Sequence, residues 1–346
     1  IINIVNDITN FCFRLLQEPY TVAPARPKTK FLMLLTIRMI LSCEINKREV
    51  EFLHKFMRAI GFSKLTDRTE QQKLITDIIL NATHRAYTSN SEETILAEFC
   101  EDFAKDMGIA VCGEFDANDR FTYDYFYPYL RGSGISSCED ITVERHADKE
   151  SYAGICDDIK VGVSLIFYLQ NMVPYVKAQH TNLLPIRGTT LTLSGLSVSG
   201  RILLPISKND RQKQKIQKAS MNRNQLIAAA RQGDESAIES LTLEDMDTYT
   251  SISKKILTED VFSLVDTYFM PYGVECDQYA VMGEILDVCL RVNRISGEEV
   301  YVMHLSCNDL EFDICINKQD LYGEPQVGRR FKGVIWMQGF INYPTV

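Results

Sequence analysis

The sequence predicts an α+β protein with a mainly antiparallel sheet domain, a helical insert and a small C-terminal barrel of the oligonucleotide/oligosaccharide-binding (OB) type. Three observations support this class. Apolar and polar residues alternate with period two over many short segments, short turns connect these segments, and a charged region with helical spacing interrupts them. The predicted parts are an N-terminal extension at 1–52, the sheet domain at 53–206, the helical segment at 207–275 and the barrel at 276–346.

Composition and charge are those of an ordinary globular chain. Its 346 residues are 45% hydrophobic, and the formal net charge of −9 argues against general binding to nucleic acid or to an anionic membrane. The ten cysteines include no Cys-x-x-Cys pair, which favours reduced thiols in a cytoplasm over a zinc site or a disulfide framework. The cofactor and the partner are unknown from the sequence, which favours a protein or small-molecule partner over nucleic acid and predicts no membrane partner.

Residues 1–52 differ in character from the rest of the chain. A proline-containing break precedes an apolar run of about a dozen residues, which is shorter than the roughly 20 that span a bilayer. We expect the natural chain to begin at Leu53, through an alternative start codon, or at Met57, with the preceding residues translated from upstream sequence. The competing interpretation is an amphipathic extension that packs on the body.

The first predicted domain begins with a strand at 54–62 and a helix. Asp67 and Glu70 form a capping-box pattern, and apolar residues follow at helical spacing. Alternating patterns then predict strands at 94–99, 108–115, 121–127, 141–146, 152–156, 160–169 and 189–206. Pro128 either ends its strand or marks a sheet edge.

The aromatic strand and the bend that follows it supply candidate binding residues. Tyr125 and Tyr127 belong to the densest aromatic run, and Arg131 opens the glycine-rich bend Arg-Gly-Ser-Gly. Backbone N–H groups of such a bend can bind an anion, but it falls short of a phosphate-loop fingerprint, and an ordinary turn is the commoner outcome.

Titratable side chains crowd together in the next predicted hairpin: Glu144, His146, Asp148, Glu150, Asp157 and Asp158. An imidazole beside carboxylates can bind a metal or transfer protons. Because the spacing matches no metal signature, we assign no metal ligand and take Glu144, His146, Asp157 and Asp158 as candidate catalytic residues. The favoured alternative is a polar hairpin turn with a half-exposed histidine, since clustered titratable groups are often structural.

A basic run at 208–223 and an acidic run at 234–247 lie in the helical segment. The basic run can contact RNA or DNA. The favoured alternative is a solvated face that pairs with the neighbouring acidic helix.

About five strands, the first long and bent, predict the C-terminal barrel. In the strand 310–317, the even-numbered apolar residues are expected to face in, and Glu311, Asp313, Cys315 and Asn317 to face out. Trp336 is a candidate stacking residue for a ligand, although a lone tryptophan in an apolar strand more often packs in a core or between domains.

Long segments resemble a family of uncharacterised clostridial proteins, a domain-of-unknown-function family, over about residues 53–343. They include HKFMRAIGFSKL, YPYLRGSGI, ERHADKESYAGICDD, LSGLSVSGRILLPI and VGRRFKGVIWMQG. The resemblance implies a soluble bacterial cytoplasmic protein, and it assigns no functional residues. Residues 1–52 fall outside it.

The sequence contains no complete catalytic motif, so the function is unknown and the question of enzyme activity stays open. The favoured class is a binding or scaffold protein that uses the aromatic strand and the barrel. The alternatives are an enzyme that uses the Glu/His/Asp cluster and a nucleic-acid binder that uses the basic run.

Overall fold

The computed structural model describes residues 54–89, 94–145, 151–158, 164–181, 184, 188–206, 219, 222, 223, 225–230, 232–255 and 265–344. The predictions made for residues 1–52, for His146, Asp148 and Glu150, and for most of the basic run at 208–223 lie outside these residues.

Four antiparallel strands form the first sheet, in the order β1-β2-β3-β4. They are β1 (His84–Ser89), β2 (Ile95–Ala104), β3 (Met107–Phe115) and β4 (Phe121–Leu130). The strands predicted at 108–115 and 121–127 are confirmed, and they form the antiparallel pair β3–β4. Pro128 lies within β4, an edge strand, where a missing N–H group on the open side removes no ladder hydrogen bond.

The predicted capped helix is α1 (Arg68–Asn81), which packs on β2 and β3. The side chain of Asp67 accepts a hydrogen bond from the backbone N–H of Thr69 at 3.3 Å, so one of the unpaired N–H groups of the first turn gains a partner. Ile75, Ile78 and Ile79 supply the buried stripe.

Five strands close into a barrel, as predicted: β8 (Thr190–Leu203), β10 (Gln278–Val292), β11 (Glu299–Cys307), β12 (Leu310–Asn317) and β14 (Arg330–Asn342). They pair in the order β8-β12-β11-β10-β14, and β14 pairs back with β8. The β8–β12 pair is parallel and the other four pairs are antiparallel. One barrel strand, β8, lies in the 53–206 range, outside the residues from which we expected the barrel to form.

Further strands extend the barrel at β14. β5 (Ile141–Arg145), β6 (Tyr152–Cys156) and β7 (Leu165–Leu169) continue the sheet in the order β14-β7-β6-β5, which confirms strands in these three predicted segments. The remaining elements are β9 (Tyr268–Pro271), β13 (Leu321–Tyr322), α2 (Met172–His180), α3 (Glu235–Lys255) and the 3-10 helices η1 (Lys55–Ile60) and η2 (Lys318–Asp320). None of the helices in the described part of the chain is long and apolar enough to cross a membrane.

The strand predicted at 54–62 is wrong, because this segment forms η1. Phe56, Met57, Ala59 and Ile60 are all buried, a pattern that period-two alternation does not produce. Gly61, at a φ of 89°, ends the helix as a left-handed C-cap.

The face of β12 that was predicted to point outward is not exposed to solvent at three of its four residues, since Asp313, Cys315 and Asn317 are buried. Other chain segments cover this face. Asn317 Nδ2 donates to the carbonyl oxygen of Arg58 in η1 at 3.4 Å, and Ser133 N donates to Asp313 Oδ2 at 2.6 Å. The barrel therefore has elements packed on its outer surface, which a local alternation pattern cannot reveal.

Buried polar side chains join the end of β4 to the barrel. Ser194 Oγ donates to the carbonyl oxygen of Leu130 at 2.6 Å, and Gln338 Nε2 donates to that of Pro128 at 2.8 Å. Gln170 Nε2 also donates to the Leu130 carbonyl at 2.8 Å. These bonds fix where the chain leaves β4, and so they position the bend that begins at Arg131.

Candidate functional site

An open cleft of about 540 Å³ lies between the four-stranded sheet, the start of α2 and one residue of β14. Its volume falls within the range of small-molecule sites, about 300–1,000 Å³. Its walls are formed by Thr83, His84, Arg85, Ala86, Glu98, Cys100, Tyr127, Tyr129, Arg131, Gln170, Asn171, Pro174 and Phe340.

The register of the sheet brings the side chains of β2 and β4 to one face of the cleft. Cys100 lies opposite Ala110 of β3, and Ala110 lies opposite Tyr127 of β4. Because residues two apart share a face, Glu98 lies on the same side as Cys100, and Tyr129 on the same side as Tyr127. Ala110 lies between Cys100 and Tyr127 in the register, and its small side chain leaves room for Tyr127 to reach across the sheet to Glu98.

Glu98 is the buried acid of the cleft, with only 6% of its surface exposed. Its Oε1 accepts a hydrogen bond from the Tyr127 hydroxyl at 2.8 Å. Burial raises the pKa of Glu98 from 4.5 to about 7, and the Tyr127 hydrogen bond and the charge of Arg131 oppose that rise in part. The carboxyl group of Glu98 therefore changes between its protonated and ionised forms near neutral pH.

The Tyr127 hydroxyl has a second acceptor, the carbonyl oxygen of Gln170 at 2.9 Å. A phenol has one proton to donate. When Glu98 is ionised, Tyr127 donates to it; when Glu98 is protonated, Glu98 can donate to Tyr127, and Tyr127 can donate to Gln170. The hydrogen bonds among Glu98, Tyr127 and the Gln170 carbonyl can thus be satisfied in both protonation states of Glu98.

Arg131 is the half-buried cation of the cleft. Its guanidinium group lies over the ring of Tyr129, 4.9 Å from the ring centroid, in cation–π geometry. Asp102 Oδ2 lies 3.9 Å from Arg131 Nη1, too far for a hydrogen bond, and Asp102 instead accepts a hydrogen bond from the Tyr129 hydroxyl. This arrangement holds the guanidinium in place without using its N–H donors on that carboxylate.

Cys100 lies in the same cleft, but its environment does not activate it. Burial, with the negative charge of Glu98 as a smaller cause, raises the pKa of Cys100 well above its ordinary value. The thiol therefore stays protonated at neutral pH, and the thiolate that attacks electrophiles is scarce.

The start of α2 borders the cleft without a side-chain cap. Asn171, the residue at the N-cap position, is instead tied to β14: its Nδ2 donates to the carbonyl oxygen of Ile341 at 2.8 Å, and its Oδ1 accepts from Ile341 N at 3.0 Å. The first N–H groups of a helix have no intrahelical partner and carry a partial positive charge. The helix therefore presents an electropositive end beside the cleft.

The candidate binding residues lie in two places. Tyr127 and Arg131 line the cleft. Tyr125 is buried, with its hydroxyl 3.6 Å from Met172 Sδ. Trp336 is also buried, on the outside of the barrel, where its ring lies 5.2 Å from that of Phe56 and its Nε1 donates to Asp277 Oδ2 at 2.6 Å.

The candidate catalytic residues that the structure describes, Glu144, Asp157 and Asp158, do not line the cleft. Glu144 is exposed on β5, opposite Ala153, whereas Asp157 and Asp158 follow the other end of β6. Asp157 is exposed and accepts a hydrogen bond from Ser164, and Asp158 is buried and accepts one from Ser137 Oγ at 2.6 Å.

The structure therefore does not bring Glu144 together with the two aspartates, and the fourth member, His146, is not described. Among the described residues, no three His, Cys, Asp or Glu side chains converge in a way that could hold a metal ion.

Sequence reasoning missed Glu98, Cys100 and Gln170. A signal for Glu98 is present in the sequence of β2, ILAEFCEDFA, where a glutamate interrupts an apolar run. An acidic residue on an otherwise buried strand is a departure that often marks a functional position. Gln170 offers no such signal, because its placement depends on contacts with β4 and β14.

A family model described as "Domain of unknown function, E. rectale Gene description (DUF3881)" matches residues 57–339. The match covers well over half of the chain and includes every cleft residue except Phe340. No curated protein and no solved structure is significantly similar to the chain.

Proposed function

The chain belongs to the DUF3881 family, and we propose that it is a binding protein whose ligand is a small molecule held in the cleft. The observation that carries this proposal is the cavity itself, about 540 Å³ with the buried carboxyl of Glu98 in its wall. A concave site with a few convergent polar groups and a strongly perturbed titratable residue is the most common form of a ligand site.

The chemistry of the walls supports binding. Arg131 offers hydrogen-bond donors, while Pro174 and Phe340 offer apolar surface. Cys100 supplies no thiolate, so nucleophilic catalysis by this residue is disfavoured.

One observation favours a second candidate, an enzyme that uses general acid–base chemistry. A carboxyl with a pKa of about 7 can both take and give a proton at neutral pH, and Glu98 has this property. In this alternative Glu98 replaces the cluster around Glu144 as the acid–base group. Turnover of a bound compound that Glu98→Gln abolishes without loss of binding would establish it.

Two further proposals concern the cellular location of the protein and the type of its barrel. We place the protein in the cytoplasm, supported by the eight cysteines of the described residues, all of them free thiols. We also retain the OB type for the barrel, supported by its five closed strands with one parallel pair. Nucleic-acid binding would need the basic run at 208–223, most of which lies outside the described residues.

The test is to equilibrate the purified protein with a small-molecule extract of bacterial cells, remove unbound compounds by gel filtration, and identify the retained ones by mass spectrometry. Ala86→Trp fills the cleft from β1, because Ala86 lines it. Tyr87→Trp places the same side chain on the opposite face of β1, where Tyr87 is exposed, and serves as the matched control.

We expect wild type and Tyr87→Trp to retain the same compounds, and Ala86→Trp to lose them. Retention of nothing by wild type, or equal retention by Ala86→Trp, would reject the cleft as a ligand site.

A further inference from the structure

We infer that the ligand of this cleft is a small organic carboxylate, held by Arg131 beside the uncapped N-terminus of α2 and contacted through its uncharged part by Glu98 and Tyr127. This inference rests on the proposed function and names the chemical class of the ligand. It follows from four features of the cleft.

The first feature is the exposure of Arg131 to the cleft and the availability of its N–H donors. Its side chain is 31% exposed and lines the cleft, and its guanidinium group lies over the ring of Tyr129. The only carboxylate paired with it among the described residues, Asp102, stands 3.9 Å away. A guanidinium group presents parallel N–H donors that match the two oxygens of a carboxylate, and here those donors are not spent on Asp102.

The second feature is the electropositive end of α2. The Asn171 side chain bonds to the backbone of Ile341 and does not cap the helix. The N–H groups of Met172 and Val173 therefore stand at the start of the helix with no intrahelical acceptor. The helix dipole favours negative charge at this end, and it acts on the same cleft as Arg131.

The third feature is Glu98, which limits the charge of the ligand. An ionised Glu98 repels a second anion, and a protonated Glu98 becomes a hydrogen-bond donor. A phosphate monoester carries up to two negative charges at neutral pH, whereas a carboxylate carries one. Of the two arginines in the wall, Arg85 places its guanidinium over the ring of Phe99 and donates to the carbonyl oxygen of Leu80. Arg131, one helix end and a nearby carboxyl therefore suit a monoanion better than a dianion.

The fourth feature is the uncharged remainder of the cleft. Pro174 and Phe340 contribute apolar surface to the cleft, against which an organic body can pack. Gln170 also lines the cleft; its Oε1 has no hydrogen-bond partner in the part of the chain that the structure describes, but this atom is itself buried and closed to the cleft. The ligand is thus expected to carry an apolar body in addition to its carboxylate.

The experiment separates the bacterial extract by ion exchange at pH 7 into anionic, neutral and cationic pools. Each pool is equilibrated with wild type, with Arg131→Gln and with Arg294→Gln. Arg294 is the control because it pairs with Glu101, whose side chain lies on the face of β2 opposite to Glu98, and does not line the cleft. Retained compounds are quantified and identified by mass spectrometry.

We expect the retained compounds to come from the anionic pool, to carry a carboxylate, and to bind Arg131→Gln at least about tenfold more weakly, because a lost hydrogen bond to a charged group has an effect of this order. Arg294→Gln should retain them as wild type does. If Arg131→Gln does not fold, Arg131→Lys replaces it; that variant keeps the charge but loses the two-pronged donor, and weaker retention is again expected.

Other outcomes overturn different statements. Compounds retained from the neutral or cationic pools, or retained equally by the Arg131 variant, would reject the carboxylate inference and leave the binding function intact. Retained phosphate esters without a carboxylate would also reject it, in favour of another anion. If no pool contains a retained compound, the proposed function itself fails.

Discussion

The Tyr127 hydroxyl lies 2.8 Å from Glu98 Oε1, and both residues are buried on the face of the sheet that lines the cleft. It is the contact that makes a carboxyl tolerable at this position, because a buried charge without a hydrogen bond is costly. The same hydroxyl reaches the carbonyl oxygen of Gln170 at 2.9 Å. The protonation state of Glu98 is therefore coupled to a contact between the sheet and the start of α2.

Tyr127→Phe should raise the pKa of Glu98 further above its value of about 7. The Tyr127 hydrogen bond lowers that pKa, since it stabilises the ionised carboxylate, and the variant removes it while it keeps the ring. The measurement is a pH titration of the Glu98 carboxyl carbon by NMR in protein labelled at glutamate. Tyr129→Phe is the control, because its hydroxyl donates to Asp102. A Glu98 pKa that is unchanged or lower in Tyr127→Phe would contradict this assignment.

Glu98→Gln should remove a pH dependence of stability between about pH 4.5 and 7. The folded state raises the pKa of Glu98 from 4.5 to about 7, so it binds the proton more tightly than the unfolded state does. The resulting stabilisation is complete below pH 4.5 and is lost as the pH rises through 7. With about 1.4 kcal/mol per pKa unit, the loss amounts to about 3 kcal/mol.

Urea unfolding of wild type and Glu98→Gln at several pH values between 4.5 and 8 measures this loss. The difference between the two free energies of unfolding should change with pH. Glu144→Gln, at an exposed position, controls for the removal of one carboxyl elsewhere. Parallel stability curves for wild type and Glu98→Gln would show that burial does not perturb the Glu98 carboxyl.

Local patterns were sufficient for much of the fold and for part of the cleft. The turn at Asn308 and Asp309 is a two-residue hairpin with φ values of 53° and 61°, and both residue types tolerate this left-handed conformation, so the β11–β12 hairpin follows from the sequence. Tyr127 and Arg131, the predicted binding residues that line the cleft, follow from a local pattern, an aromatic strand that leads directly into a glycine-rich bend.

Other features depend on contacts between distant segments. The helix η1 is a short apolar run, which periodicity alone cannot separate from a strand, and its form depends on the barrel surface it covers. Glu98 meets Tyr127 only through the register of three strands, and the parallel pairing of β8 with β12 joins segments more than 100 residues apart. No local pattern contains that information.

Gly132→Ala should weaken ligand binding although residue 132 does not line the cleft. A β-carbon at this position would lie 2.5 Å from the carbonyl oxygen of Leu193, so the bend must move away from β8 and carry Arg131 with it. Displacement of a positioned donor by even about 1 Å is sufficient to weaken an interaction strongly.

The measurement is the affinity for a compound retained by wild type, with Gly134→Asn as control. Gly134 has a φ of 72°, a β-carbon added there would have no described atom within 4 Å, and asparagine tolerates this backbone conformation. Equal affinities for Gly132→Ala and Gly134→Asn would show that the close packing of the bend on β8 does not set the position of Arg131.

Phe56→Ala should destabilise the protein and change the fluorescence of its single tryptophan. The rings of Phe56 and Trp336 stack with centroids 5.2 Å apart, and Phe56 is 3% exposed. Removing the ring leaves a cavity at the η1–barrel contact, at a cost of about 3 kcal/mol. Water then approaches the indole, so we expect emission at longer wavelength in the folded variant, measured below the unfolding transition.

Phe121→Ala is the matched control for this prediction. Phe121 is also buried, and it packs against Phe99 and Phe115 in the four-stranded sheet, away from the tryptophan. It should lose comparable stability with no change in folded-state emission. If both variants shift the emission equally, the change reports a general loosening of the chain. If Phe56→Ala leaves emission unchanged, η1 does not shield Trp336 in solution, and that tryptophan becomes accessible as a stacking surface on the barrel.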